Sequence, residues 1–209
     1  MNTLLIGKEL GIERIAREIS VILINNINAE LLVEDAKWNT LDSDLAVLRG
    51  VPYVPCVSNP VSAKNIHVGH KPSLIKAPVE NYPNISVMSY AVNNSPFSPI
   101  DQGEINSVTT FIETMVLDGP YPKEDSSDYF IEKAEELVNR KIQRMVEAIH
   151  SVIFTRPTLN GLVLGIQKPP RVVITECLIR HETTMDNNND YYWQMARLEY
   201  NINKDSIIS

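Results

Sequence analysis

Apolar residues recur at helical spacing in two long stretches of the chain. In Gly11–Val33, isoleucines and leucines are separated by three and four residues, as on the buried side of an amphipathic helix. The stretch Asp128–Ile153 has the clearest helical period, and the preceding Ser126–Asp128 segment supplies residues that cap helix N-termini. The pattern therefore predicts two long helices. Because β-branched residues are dense in Ser20–Ile24, a strand is the alternative for that short piece.

Four further segments read as strands because apolar and polar residues alternate or because β-branched and aromatic residues are enriched. These segments are Asn84–Tyr90, Glu104–Asp118, Val172–Glu182 and Tyr191–Ile202. Consecutive strands joined by short turns pair antiparallel, and the polar residues 186–190 form such a turn. The order predicts a single α+β domain over residues 1–209: a two-layer sandwich in which two long helices pack on a mainly antiparallel four-stranded sheet.

Residues 34–80 carry no strong period. A short helix is predicted at Asp42–Arg49, and five prolines follow it within this segment. Proline fixes φ and lacks an N–H donor, so this density favours extended loops over continuous strand pairing. We expect 34–80 to be a loop-rich insertion or arm that faces a partner or moves.

Composition narrows the class of protein. An apolar share of 44% in 209 residues supports a real core, and the net charge of -7 argues against a general nucleic-acid binder. The sequence has neither an apolar run long enough for a membrane span nor a secretory signal, which predicts an intracellular product. The two cysteines, Cys56 and Cys177, are expected to be small buried groups, with a disulfide between them left open.

Candidate chemistry is sparse. His67 and His70 could both reach a metal ion, with Cys56 or His181 as further ligands, and a metal-dependent enzyme is the alternative function on that basis. However, no second ligand pair, nucleophile elbow or phosphate-binding loop accompanies them, and histidines in a loop are more often simply solvated. We therefore predict no catalytic residues, no metal and no cofactor, and expect a protein that is not an enzyme.

The aromatic residues near the C-terminus are candidate contact residues. Tyr191, Trp193 and Tyr200 lie on the last predicted strand, and aromatic side chains on strands usually fill a core or a subunit interface. They are predicted here as interface residues. A small-ligand binding face formed by the same residues is a weaker alternative.

The chain resembles the tail terminator (tail completion or neck) proteins of long-tailed bacteriophages. The similarity lies in the order of Tyr82–Val87, Thr109–Val116, the helix Glu132–Ile153 and the final Tyr192–Tyr200, preceded by an N-terminal helix. The resemblance implies a helix pair over an antiparallel sheet. The segments 34–80 and 155–170 depart from the compact family pattern.

The resemblance also implies a function. The protein would be a non-enzymatic virion component that forms a homo-oligomeric ring, expected to be a hexamer, at the head-proximal end of the tail. It would cap the tail tube and join it to the head connector or stopper protein, with the sheath as a further neighbour. DNA would pass through the lumen without specific binding, no membrane would be involved, and assembly would occur in the host cytoplasm. Another neck or tail adaptor is the related alternative.

Overall fold

Residues 3–69, 78–96, 104–122, 128–163, 165–166, 169–183 and 188–205 are described by the computed structural model. Their side chains are described within 13–69, 78–90, 108–121, 133–163, 165–166, 169–181 and 189–203. The helices are α1 (Thr3–Arg49) and α2 (Asp128–Phe154). The strands are β1 (Ile66–Val68), β2 (Asn84–Pro96), β3 (Glu104–Pro122), β4 (Gly165–Ile166), β5 (Arg171–Ile174), β6 (Leu178–Thr183) and β7 (Asn188–Asp205).

The described strands form one seven-stranded mixed sheet in the order β1-β2-β3-β7-β4, with β5 and β6 also paired to β7. The β1–β2 pairing is parallel, and the others are antiparallel. The predicted count of four strands is therefore wrong. Strands β1 and β4 have only three and two residues, which is too short for an alternating pattern to reveal them.

The predicted strand Val172–Glu182 is split into β5 and β6 at Thr175. The Thr175 backbone still bonds to β7, with its N–H donating to the Met195 carbonyl at 2.9 Å. Its hydroxyl accepts a hydrogen bond from the Met195 N–H at 3.2 Å, and its carbonyl accepts one from Gln194 Nε2 at 2.7 Å. Side-chain bonds thus replace part of the regular ladder, so one predicted strand becomes two.

Both helices pack on one face of the sheet and bury the main core against it. Helix α1 contributes the predicted isoleucine and leucine positions between Ile15 and Leu31, and α2 contributes Ala134, Val138, Ile142 and Ile149. The facing strand residues include Ile112, which lies opposite Val87 of β2 and Leu198 of β7. This arrangement confirms that the described chain combines two helices with a sheet in which alternate residues face the core.

Helix α1 is much longer than the predicted helix Gly11–Val33, because it continues without a break to Arg49. The alternative strand at Ser20–Ile24 does not form, and the predicted short helix at Asp42–Arg49 is the end of α1. Residues 34–41, which were predicted as loop, are therefore helical. The remainder of the proposed insertion, as far as it is described, consists mainly of a loop over 50–62, a 3-10 turn at Ala63–Asn65, strand β1 and the start of the 3-10 turn Val79–Asn81.

The other face of the sheet carries a smaller apolar cluster. Met115 and Leu117 of β3 pack there with Tyr191 and Trp193 of β7. The 3-10 turn at Val79–Asn81 contributes Val79 to this cluster. Both faces of the central strands are thus partly covered by the chain itself.

A tight contact at Gly119 yields a first prediction. Gly119 has a φ of +135°, and an added Cβ would lie 2.9 Å from Tyr191 Cδ1 and 3.0 Å from the Asp190 carbonyl oxygen. Gly119→Ala is expected to lower the free energy of unfolding by about 1–3 kcal/mol, because alanine is strained at that φ and its methyl group meets β7. Urea denaturation followed by circular dichroism measures the change.

The matched control for that variant is Gly165→Ala. Gly165 also lies in a strand, but a Cβ added there meets no atom within 4 Å. Its expected effect is less than about 1 kcal/mol. Equal losses in the two variants would contradict the assignment of strain to Gly119.

Candidate functional site

The predicted metal ligands do not converge on a site within the described part of the chain. His67 lies in β1, Cys56 is buried in the loop after α1, and His70 lies outside the described residues. His181 is on β6, with its Nδ1 atom 2.6 Å from Asp190 Oδ1. Among the described residues, no group of three or more His, Cys, Asp or Glu side chains is placed to hold a metal ion.

The two cysteine thiols are free and are wholly or partly removed from solvent. Cys56 is buried and Cys177 is partly buried. Burial raises the pKa of the Cys56 thiol above its usual value and raises the pKa of Cys177 to about 11. Both groups are therefore held as neutral thiols at neutral pH, a form that is weakly nucleophilic.

The three predicted interface aromatics lie on two different faces of the sheet. Tyr191 and Trp193, each 8% exposed, belong to the smaller cluster on the outer face. Tyr200 is 1% exposed in the main core, and its hydroxyl lies 3.4 Å from His150 Nδ1 of α2. Tyr200 is thus a core residue of the single chain, and the three side chains do not form one exposed surface. A contact role for Tyr191 and Trp193 stays a prediction.

The most unusual group inside the protein is the guanidinium of Arg144, whose side chain is 2% exposed. Its Nη1 donates to Asp35 Oδ1 at 2.9 Å and to the Cys56 carbonyl at 2.6 Å. Its Nη2 donates to Asn39 Oδ1 at 3.0 Å and to Asp42 Oδ2 at 3.3 Å. A residue of α2 therefore bonds to three side chains of α1 and to the loop that follows it.

The same polar side chains of α1 also fix that loop. Asn39 Oδ1 accepts hydrogen bonds from the Cys56 N–H at 3.1 Å and from the Tyr53 hydroxyl at 2.6 Å. Asp35 accepts from the backbone N–H and the hydroxyl of Ser58, each at 2.8 Å. We call Arg144 with Asp35, Asn39 and Asp42 the arginine clamp. It joins α1, α2 and residues 53–58 into one unit.

The arginine clamp explains why apolar residues no longer recur at helical spacing in α1 after residue 33. Asp35, Asn39 and Asp42 are separated by four and three residues, so they continue the buried side of the helix with polar atoms. A search for apolar residues at helical spacing cannot register such a continuation. The sequence pattern that could have predicted this continuation is polar. Acidic and amide residues of α1 occur at helical spacing, and an arginine occurs on the apolar side of α2.

Among the exposed aliphatic side chains of the described residues, two groups lie near the ends of their elements and are considered as surfaces. The helix-end surface lies at the end of α1 and in the loop that follows, and its seven members are 44–84% exposed: Leu41, Leu45, Val47, Leu48, Val51, Val54 and Val57. The strand-edge surface lies on β5 and β6, and its five members are 38–49% exposed: Val172, Val173, Ile174, Leu178 and Ile179. Clusters of this kind mark sites of interaction more often than isolated exposed aliphatics do.

A cavity of about 490 Å³ adjoins the helix-end surface. Its apolar lining includes Leu45, Val51, Val54 and Leu137 of α2. Charged groups line it as well: Asp42, Arg49, Lys133, Glu136 and Arg140. A concave site with both aliphatic and charged groups suits a protein segment.

A second cavity, of about 510 Å³, lies between α1, α2 and the segment before β5. His150, Phe154 and Val172 line it, with Glu34 and Lys37 at its margin. The pKa of His150 is lowered from its usual value by burial, which outweighs the opposing charge of Glu147. His150 is therefore held neutral in the folded chain.

No protein-family model matches the chain, and no curated protein sequence matches it. Within the described residues, no helix combines the length and the apolar character needed to cross a membrane.

The arginine clamp yields a prediction about stability. Arg144→Ala leaves the Asp35 carboxylate buried without its cation, and removing one partner of a buried ion pair is expected to cost about 3–5 kcal/mol of unfolding free energy. Arg17→Ala is the control, because Arg17 is an exposed arginine of α1 that pairs with Glu13 and not with the arginine clamp. Its expected loss is below about 1 kcal/mol. Urea denaturation compares the two, and similar losses would contradict a dominant role for Arg144.

His150 yields a prediction about pH. Its pKa is lower in the folded than in the unfolded chain, so the unfolded chain binds the proton more readily as pH falls below the usual histidine pKa of about 6.5. The histidine contribution to stability is therefore full above that pH and declines below it. Between pH 7.5 and 5.5, the unfolding free energy of the wild type is expected to fall by more than that of His150→Gln. The difference between the two decreases is expected to be less than about 1.4 kcal/mol per pH unit. If the unfolding free energies of the wild type and of His150→Gln changed equally with pH, His150 would not be held neutral in the folded chain.

Proposed function

We propose that this protein is a non-enzymatic virion component that forms a homo-oligomeric ring, as a hexamer, at the head-proximal end of a phage tail. In that position it caps the tail tube and connects the tail, including any sheath, to the head connector or stopper protein. The ring is the functional unit, and its subunits are assembled in the host cytoplasm before joining the virion.

The observation that carries this proposal is the exposure of aliphatic side chains at two separate places on one chain. The helix-end surface and the strand-edge surface together present twelve aliphatic residues that are at least 38% exposed. A monomer gains nothing from this exposure, whereas a subunit with two contact surfaces can be joined on both sides. Such a subunit forms a ring when the rotation between neighbours closes.

The order of elements supports the same proposal. A helix, a β-hairpin, a second helix and further antiparallel strands follow one another, with both helices on one face of the sheet. This two-layer arrangement is what the resemblance to tail terminator proteins implies for the fold. The match in order is a supporting argument about architecture, since a fold by itself does not define a function.

The charge of the chain suits a DNA conduit. The net charge of -7 disfavours tight capture of nucleic acid, because carboxylates repel the phosphate backbone. A ring with an acidic lumen would allow DNA to pass without being retained. Neither a cofactor nor a metal ion takes part in the proposed role.

The proposal predicts a ring in solution and at the neck of the virion. Purified full-length protein is expected to sediment as one oligomer of six copies and to show rings in negative-stain images. Immunogold labelling of phage particles that contain the protein should place it between head and tail. Particles that lack it should carry tails of irregular length, because nothing stops growth of the tube.

Two outcomes would overturn the proposal. A chain that stays monomeric at all concentrations and is absent from particles is not a virion ring component. A ring located elsewhere in the neck would favour the related role of an adaptor over that of a tail terminator.

A further inference from the structure

The helix-end surface and the strand-edge surface lie in different parts of the fold. Helix α1 packs on β1 and β2 at one side of the sheet. Strands β5 and β6 pair with β7 at the opposite side. The cavity at the end of α1 is bounded by α2, which in turn packs on β3 and β7. The two surfaces are therefore separate on the chain: α2 borders the helix-end surface, and β7 borders the strand-edge surface, whose Val172 shares a cavity lining with Glu34 and Lys37 of α1.

The two surfaces also differ in shape. The helix-end surface borders a cavity of about 490 Å³, so it is concave where Leu45, Val51 and Val54 meet α2. The strand-edge surface projects from the rim of a sheet. Opposite residues in the β5–β7 and β6–β7 ladders share a face, so Val173 projects beside Arg197 on one face while Val172 projects beside Leu198 on the other.

The strand edge is only partly protected: its strands are short and β6 carries Arg180 and His181, but three of the four exposed residues of β5 are aliphatic. Strands β5 and β6 pair with β7 on one side, and among the described residues no strand pairs with their other side. The β5 sequence Arg-Val-Val-Ile contains neither lysine nor proline. Exposed apolar edges of this type attract another chain unless they are covered. The covering group is therefore expected to be a protein.

We propose that the strand-edge surface of one copy docks into the helix-end surface of the next copy. The occupant of each surface is thus a second copy of this chain, and the contact is head-to-tail. This inference rests on the proposed ring and specifies which residues form its subunit contact. The contact joins unlike surfaces, and it propagates from copy to copy because each copy uses its two surfaces on two different neighbours.

The available area is sufficient for a specific contact. At the observed exposures, the twelve aliphatic side chains present roughly 700 Å² of apolar area in total. Because apolar atoms make up about 57% of a typical interface, this apolar area corresponds to an interface of roughly 1,200 Å². Specific interfaces bury about 1,200–2,000 Å², so the contact lies at the lower end of that range.

The test uses two full-length variants that each disrupt one surface. The helix-end variant carries Leu45→Asp and Leu48→Asp, and the strand-edge variant carries Val173→Asp and Leu178→Asp. Each variant alone is expected to be a monomer, with self-association weakened at least about 100-fold by buried carboxylates. Mixed in equal amounts, they retain one intact surface each. The mixture should therefore form a 1:1 heterodimer and nothing larger, as measured by sedimentation and native mass spectrometry.

Matched controls place the same charges outside the two surfaces. Val21→Asp with Leu32→Asp alters exposed positions of α1, and Val68→Asp alters an exposed position of β1. These variants should assemble as the wild type does. Circular dichroism verifies that every variant is folded, and the milder pair Leu48→Ser and Val173→Ser replaces any aspartate variant that is not.

The outcomes separate this inference from the proposed ring. A wild-type ring that persists in either disrupted variant, or a mixture of variants that stays monomeric, overturns the contact but leaves the ring. Open head-to-tail chains with the expected 1:1 heterodimer support the contact but not the closed ring. A wild type that is monomeric at every concentration overturns both.

Discussion

The paired charge of Arg144 is the interaction on which the arrangement of the helices depends. Burying a guanidinium is unfavourable by several kcal/mol unless its charge and its N–H groups are satisfied. Here the acceptors come from α1 and from the loop after it, at 2.6–3.3 Å. Because these acceptors are separate in sequence but must meet at one side chain, the guanidinium fixes the position of α1 relative to α2. We infer that the buried guanidinium contributes mainly to the relative position of the two helices rather than to the net free energy of folding.

The arginine clamp also accounts for the exposed aliphatic residues at the end of α1. In most surface helices the apolar side faces the core and the polar side faces water. Beyond residue 34 this order is inverted: Asp35, Asn39 and Asp42 face α2, while Leu41, Leu45 and Leu48 are exposed. One polar network inside the protein thus determines which apolar residues are presented outside it.

Sequence patterns predicted the elements whose buried side is apolar. Helix α2, the central strands and the first half of α1 follow from periodicity, since their core positions are occupied by residues such as Ile19, Ile112 and Ile142. Residues 34–41 of α1 were predicted as loop because their buried positions, Glu34 and Asp35, are polar. Strands β1 and β4 are too short to show a period, and Thr175 divides one predicted strand by side-chain bonds that no periodicity encodes. The exposed surfaces depend on tertiary packing, so their residues could not be assigned from sequence alone.

The inverted helix end raises the question of why it does not rotate to bury its leucines. Such a rotation would remove aliphatic side chains from water, which is favourable in a monomer. It would also turn Asp35 and Asn39 away from Arg144 and leave a buried cation without its partners, at a cost of about 3–5 kcal/mol. The buried ion pair therefore excludes the competing packing and keeps the leucines outside. An apolar surface held open in this way is stable in the single chain and remains free to be covered by a neighbour.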